Sequence, residues 1–304
     1  MRNTFINTLT RLAQKNKNIY LITGDLGFGV LQRFWDLCPN QFINAGISEQ
    51  NMTSVAAGMA LEGKIVFTYS IGNFSTLRCL EQVRNDCAYH GADVKIVSIG
   101  GGFAYGPLGM SHHATEDLAI MRALPGVCVL APGDPEEAAQ AAKAAVLRKG
   151  VVYIRLGKGG EQRIHGKLKG FKIGKAIEML KPGQVTLFST GGMLDEAVKT
   201  AALLKSRGIK AGLFSFPTVK PVDESAILKT AAKSKLIVTL EEHNMTGGFG
   251  SVVAEVMAKK PFKAGLLKIG LEDVYIGIAG SQEYLRKRYG LSAAKIVKKI
   301  VKIL

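Results

Sequence analysis

Residues 43–74 read INAGISEQNMTSVAAGMALEGKIVFTYSIGNF, and this stretch decides the fold. An apolar run leads into Gly46, and Ser48 stands ahead of a segment with helical spacing. Met52, Val55, Ala56, Met59 and Ala60 fall at i, i+3, i+4, i+7 and i+8, one stripe of a helix. Ser48 is the expected N-cap, and Gly63 closes the helix before the β-type run IVFTYS. Glu49 therefore sits in a first helical turn, at the mouth of a strand–turn–helix unit. Two readings stand side by side: a carboxylate that complements the helix dipole, or a functional group held at a strand end. The small residues Ala56, Ala57, Gly58 and Ala60 point to close helix packing, with a subunit interface as one option.

Working outward, the same alternation continues in both directions. An amphipathic segment with Phe5, Leu9 and Leu12 precedes the strand IYLIT. After residue 74 come LRCLEQVRNDCAYH, read as a helix with Leu77, Leu80, Val83 and Cys87 on one side, then DVKIVSIGGG, VCVLAP, the helix PEEAAQAAKAAVLRK and VVYIRL. Strands alternating with helices imply an α/β fold with a doubly wound, mainly parallel sheet covered on both faces. Residues 159–171, rich in Gly and Lys, read as a linker between a first domain at 1–158 and a second α/β domain at 172–304. The expected architecture is two doubly wound α/β domains. Loops 24–29, 45–49, 70–75, 100–113 and 155–158 all follow strand ends, where ligands bind in such sheets.

With 304 residues, 47% of them apolar, the chain is long enough for two cores. The net charge of +16 is uneven: residues 1–160 carry 15 basic and 12 acidic side chains, residues 161–304 carry 25 and 12. That excess raises nucleic acid or an anionic membrane as partners. The lysines are scattered, however, and 7% aromatic content provides no base-stacking platform, so neither partner is expected. The terminal segment AAKIVKKIVKIL is read as a docked helix with a solvated cationic face rather than a membrane-surface helix. Cys38, Cys79, Cys87 and Cys128 lack C-x-x-C spacing and read as buried thiols of a reduced, cytoplasmic protein. No window is long and apolar enough to span a bilayer, and the N-terminus lacks a signal-peptide pattern.

Of the candidate chemistry, the glycine loops at 98–102, 189–192 and 247–251 complete neither G-x-G-x-x-G nor the Walker pattern. They read as tight turns, the last of them with the option of an anion nest. His112 and His113 precede Glu116, but no further ligand stands at metal-site spacing, so no metal is assigned to this chain. A loop histidine at a strand end suits substrate contact or proton transfer. Arg155, ending an apolar strand, reads either as a phosphate or carboxylate grip or as a partly buried ion pair.

Taken together, GDLG at 24–27, NAGISEQN at 44–51, YSIGNF at 69–74, RCLEQVRND at 78–86, SHH at 111–113 and LAPGDPEEA at 130–138 resemble the transketolase family. The first domain is similar to its pyrimidine-binding domain. Through STGG, FSFPTVKPVD and TLEEH, residues 172–304 are similar to its carboxyl-terminal domain. The resemblance implies one half of a split transketolase, because the Gly-Asp-Gly…Asn signature that holds Mg²⁺ (or Ca²⁺) and the diphosphate of thiamine diphosphate does not occur here. It implies an N-terminal partner subunit, an α2β2 assembly with homodimerisation of this chain as a further option, and sugar-phosphate substrates. By the same resemblance Glu49 hydrogen-bonds N1′ of the aminopyrimidine, Asp25 and Leu26 line the thiazolium, and Phe74, or else Tyr69, stacks on the pyrimidine. His112 stands near the reacting carbons, and Arg2 and Arg155 grip the phosphate. Gly29, Gly100 and Leu108 depart from the family's serine, histidine and aspartate, which opens donor choice. A deoxyxylulose-phosphate synthase-like or 2-oxoacid dehydrogenase β-type subunit is the alternative within the superfamily. A non-catalytic basic binder of nucleic acid or membrane is the alternative from another class.

Overall fold

The computed structural model describes residues 1–168 and 170–304. Lys169, inside the expected linker, lies outside the described residues. The strands are β1 Ile19–Thr23, β2 Phe42–Asn44, β3 Ile65–Ile71, β4 Val94–Ile99, β5 Cys128–Leu130, β6 Val152–Leu156, β7 Ile177–Leu180, β8 Val185–Ser189, β9 Ala211–Ser215, β10 Thr218–Lys220, β11 Leu236–Asn244 and β12 Gly265–Leu271. They form two sheets, ordered β10-β5-β6-β4-β3-β1-β2 and β12-β11-β8-β9-β7. All pairings are parallel except β10 on β5 and β7 on β9. The α/β class and the two-sheet division match the sequence reading. One departure matters: β10 comes from the second half of the chain yet closes the edge of the first sheet. It can do so because Ala131 N–H donates to Pro217 O (2.8 Å) just ahead of it.

The first sheet is buried on both faces, as its β-branched and aromatic runs require. Helices Arg2–Lys15 and Pro135–Leu147 cover one face, where Phe5, Leu9, Ala138 and Ala142 meet Leu21 and Phe67. Helix Glu49–Leu61 covers the other, where Met52, Ala56 and Ala60 meet Ile22 and Val66. Phe67 sets its ring edge-on to Phe5 at 6.3 Å. Burying such a ring contributes about 1.5–3 kcal/mol.

Helix Glu49–Leu61 departs from the expected stripe. Its buried residues are Glu49, Met52, Thr53, Ala56, Ala57 and Ala60, whereas Val55 is 40% exposed. The small side chains, not the branched one, face β3, because they let the helix lie close to the sheet. Ser48 stands at the N-cap without a side-chain capping bond, and Gly63 ends the segment with φ 84°. The helix expected from Leu77 instead starts at Leu80 and passes into a π-helical segment, Val83–Ala88. Val83 and Cys87 stay buried in that segment, while Leu77, ahead of the helix, is exposed. All four cysteines are buried and free.

The second core gathers Leu187, Leu213, Val238, Ile269 and, from the terminal helix Ala293–Val301, Ile296, Val297 and Ile300. That helix docks by its apolar face and leaves Lys295, Lys298, Lys299 and Lys302 in solvent. No helix among the described residues is long and apolar enough to cross a membrane.

Candidate active site

Glu49 is 2% exposed, at the end of the sheet where β1 and β3 stop. Ser70, in β3, donates its hydroxyl to Oε1 at 3.2 Å. Arg78 donates Nη1 to Oε2 at 2.7 Å. Gly24, the residue after β1, lies alongside: a Cβ there would stand 3.4 Å from Oε1 and Cγ of Glu49. A buried carboxylate on the N-terminus of a helix, with a hydroxyl and a guanidinium on its oxygens, is an organised acceptor. It is more than a charge placed to suit a dipole.

From Glu49 a continuous line of contacts runs outward. The Arg78 guanidinium lies over the Phe74 ring, 4.4 Å from its centroid. Phe74 meets His112 edge-on at 5.3 Å. His112 meets Tyr105 at 6.3 Å, and its Nδ1 shares a 3.0 Å hydrogen bond with the Ser111 hydroxyl. Lys158 Nζ stands over the Tyr105 ring at 5.2 Å. Asn73 Nδ2 donates to Ser111 O at 3.2 Å, tying the loop after β3 to the histidine loop. Asp25 and Leu26 lie on the loop after β1. Asp25 has φ 55°, a strained backbone held because its N–H donates to Asn44 Oδ1 (3.1 Å) while Asn44 Nδ2 donates to Asp25 Oδ1 (2.9 Å). Glu49, Phe74 and His112 are thus linked by contact, and Gly24 sets the loop of Asp25 and Leu26 beside Glu49.

Two expected site residues are almost fully buried. Tyr69 is 1% exposed in the core of the first domain and cannot stack on a ligand. Burial raises its phenol well above the usual range, opposed by the Arg2 guanidinium beside it. Arg155 is 4% exposed, inside β6, and is held in a buried ion pair while also lining the cleft beside Gly157 and Gly159. Its Nε donates to Asp117 Oδ2 (2.8 Å) and its Nη2 to the carbonyls of Ala114 (2.6 Å) and Glu242 (3.0 Å). A charge within a strand covered on both faces must find its partners inside. Lys158, not singled out from the sequence, is exposed two positions beyond the end of β6. The signal for it was its place past the strand end. Arg2 lies near the same loop, its Nη2 3.9 Å from where a Gly159 Cβ would stand.

The departures at Gly29, Gly100 and Leu108 also have structural correlates. Gly100 has φ 94°, and the Tyr105 ring fills the space a side chain there would need. Gly29 faces open space, and Leu108 is 55% exposed. The nest at 247–251 is filled from within: Phe249 and Gly250 N–H groups donate to Glu241 at 2.6 and 2.7 Å. Burial pushes the Glu241 carboxyl up to about 7. Burial likewise lowers His113, leaving His112 as the loop's more accessible imidazole.

These residues fit the pyrimidine end of thiamine diphosphate. The fit rests on the carboxylate buried at the strand ends, the space beside it at Gly24 that a Cβ would fill, and the half-buried Phe74 ring.

The fold and this site define a pyrimidine-binding α/β domain followed by a second α/β domain of the kind that accompanies it. Residues 1–160 match the transketolase pyrimidine-binding domain and residues 174–296 the transketolase C-terminal domain. The chain belongs to the transketolase family, as the counterpart of its C-terminal half. It is 37% identical over 304 residues to a putative transketolase C-terminal section of Methanocaldococcus jannaschii, covering 99% of this chain and 95% of that one. It is 36% identical over 299 residues to a 6-deoxy-6-sulfo-D-fructose transketolase subunit of Clostridium sp., covering 98% and 92%. Among solved structures, a split-gene transketolase described as an inactive beta4 tetramer superposes with a TM-score of 0.89 at 33% identity, covering 99% and 96%.

Proposed function

We propose that this chain is the C-terminal subunit of a split, thiamine diphosphate-dependent transketolase that moves a two-carbon ketol unit between sugar phosphates. The observation that carries this reading is the unbroken line Glu49–Arg78–Phe74–His112–Tyr105–Lys158 along the strand ends. It puts an acceptor carboxylate at one end, an imidazole in the middle and a free cation at the other. When bound, the cofactor supplies the stabilised carbanion that carbon–carbon transfer requires. Glu49 would hold a proton at the aminopyrimidine N1′. Phe74 offers a ring face to the pyrimidine, and Asp25 and Leu26 line the thiazolium side. His112 exchanges a proton with the substrate hydroxyls, and Lys158 with Arg2 grips the terminal anion. The Clostridium relative is named for 6-deoxy-6-sulfo-D-fructose, which supports a ketose with a terminal anion and leaves room for an unusual donor at Gly29, Gly100 and Leu108.

The pyrimidine end alone does not hold the cofactor, so a separate N-terminal subunit supplies the diphosphate contacts and the Mg²⁺ or Ca²⁺. Two copies of each chain would make an α2β2 assembly in the cytoplasm. Coexpression with a partner chain carrying Gly-Asp-Gly…Asn, assayed with xylulose and ribose phosphates plus Mg²⁺, tests the reading. Glu49→Gln should keep cofactor binding, followed by fluorescence quenching, and lose about 10²–10⁴ in rate. A fully active Glu49→Gln complex would overturn it.

A further inference from the structure

The loop that carries His112 belongs to the first domain, yet much of what holds it comes from the second. It leaves β4 at Gly100, and its neck closes where Gly102 N–H donates to Ala114 O (2.7 Å) and Ala114 N–H donates to Gly102 O (3.1 Å). Phe103, the first residue beyond the neck, is fully buried, and its side chain lies in the second core with Leu240, Leu285 and Leu291. The ring meets Tyr289 of the second domain at 6.0 Å and His113 of its own loop at 5.3 Å. The Phe103 N–H donates to Oε1 of Glu242, in β11, at 2.5 Å. One residue thus joins the histidine loop to the second domain by both its side chain and its backbone.

Glu242 is 2% exposed, and its other contacts fix the direction of its carboxylate. Gln282 Nε2 donates to Oε1 (2.9 Å) and Oε2 (3.1 Å). Arg286 Nε donates to Oε2 at 2.6 Å, and its Nη2 pairs with the same oxygen while donating to Gly192 O at 3.0 Å. A carboxylate has about four lone-pair sites, and five donor contacts compete for them here, so it has no freedom to turn away from Phe103. Two glycines let the loop come this close. A Cβ on Gly102, whose φ is 64°, would stand 2.6 Å from Cγ of Glu242. A Cβ on Gly106 would stand 2.4 Å from Gly280 O, at the point where Gly280 N–H donates to Gly106 O (3.2 Å). The second domain therefore grips the loop at two places ahead of His112.

We propose that the second domain fixes the position of His112, with Glu242 as the positioning residue that holds the loop from across the domain boundary. Glu242 touches no reacting atom in this scheme and acts through Phe103. An imidazole that exchanges a proton must stand within about 2.6–3.2 Å of its partner atom, and a displacement of about 1 Å can cost 10²-fold in rate. The catalytic consequence rests on the ketol transfer proposed for the chain; the anchoring of the loop does not.

The test pairs hydrogen–deuterium exchange on the full chain with kinetics of its complex with the N-terminal partner. Glu242→Ala should speed exchange across residues 103–113 about 10–100-fold, the loss of one charge-assisted hydrogen bond, while β1 and β3 exchange at the wild-type rate. In the complex it should lower kcat about 10²-fold and leave cofactor affinity unchanged. Glu242→Gln, whose amide oxygen can still accept from Phe103, should recover most of that kcat. Unchanged exchange across 103–113, a rise spread evenly over the chain, or a loosened loop with wild-type kcat would overturn the proposal. If Glu242→Ala does not fold, Gly106→Ala decides: its methyl group parts Gly106 from Gly280 and leaves the donors to Glu242 in place. Faster exchange of 103–113 in that variant supports the anchoring, and wild-type exchange refutes it. A wild-type complex without ketol transfer would sink the proposed reaction, and the exchange data would still decide whether the second domain holds the loop.

Discussion

Replacing Asp117 with Asn tests whether the charge of Arg155 is structural. Asp117 is 1% exposed, and its Oδ2 accepts both the Tyr153 hydroxyl (2.6 Å) and Arg155 Nε (2.8 Å). Asn keeps the shape and one acceptor but removes the countercharge, leaving a 4% exposed guanidinium with only carbonyls as partners. Stranding a buried ion by neutralising its partner costs about 3–5 kcal/mol. At about 2–4 °C per kcal/mol for a core of this size, the melting temperature should fall by roughly 6–20 °C. Thermal unfolding at pH 7, followed by circular dichroism, reads this directly. Adding Arg155→Met to Asp117→Asn should recover part of the loss, because the uncompensated cation is gone. A fall below about 2 °C, or a double variant worse than the sum of the singles, would refute the buried-pair account of Arg155.

Two further predictions follow from the same geometry. Lys158→Met in the assembled enzyme should raise KM for the phosphorylated substrate about 10–100-fold while changing kcat less, since a charge-assisted contact to a terminal anion contributes about 1.5–3 kcal/mol; an unchanged KM removes Lys158 from the site. Glu241 has its carboxyl raised to about 7 by burial, so the stability it contributes is complete below the unfolded value near 4.5 and is lost as pH climbs through 7. The slope is at most about 1.4 kcal/mol per pH unit. Urea unfolding of wild type against Glu241→Gln between pH 4.5 and 8 should show a difference that grows with pH, and a constant difference would refute it.

Much of this was legible in the residues themselves. Glu49 could be placed in a first helical turn from spacing alone, because the helix and its flanking strands have unambiguous periods. Tyr69 and Arg155 were harder. Both lie inside strands buried on two faces, where alternation carries no sign of inward or outward and a charged or phenolic side chain reads like a strand-end group. Lys158 did not stand out for the complementary reason: lysines in glycine-rich loops are usually solvated, and only the Tyr105 ring beneath it marks the position proposed for it. Val55 misled because an apolar stripe does not say which of its members must be small enough for close approach.

β10 separates the order of the chain from the order of its modules. The pyrimidine-binding match ends at residue 160, but the strand that closes that sheet is Thr218–Lys220. A chain cut after residue 160 would leave β5 as a bare edge, Cys128–Leu130, whose open N–H and C=O groups invite pairing with a second copy. The natural unit for grafting is therefore not either half. A chimera that exchanges C-terminal domains between relatives would have to match the Thr218↔Leu130 register of its new strand, or build a sheet one strand short.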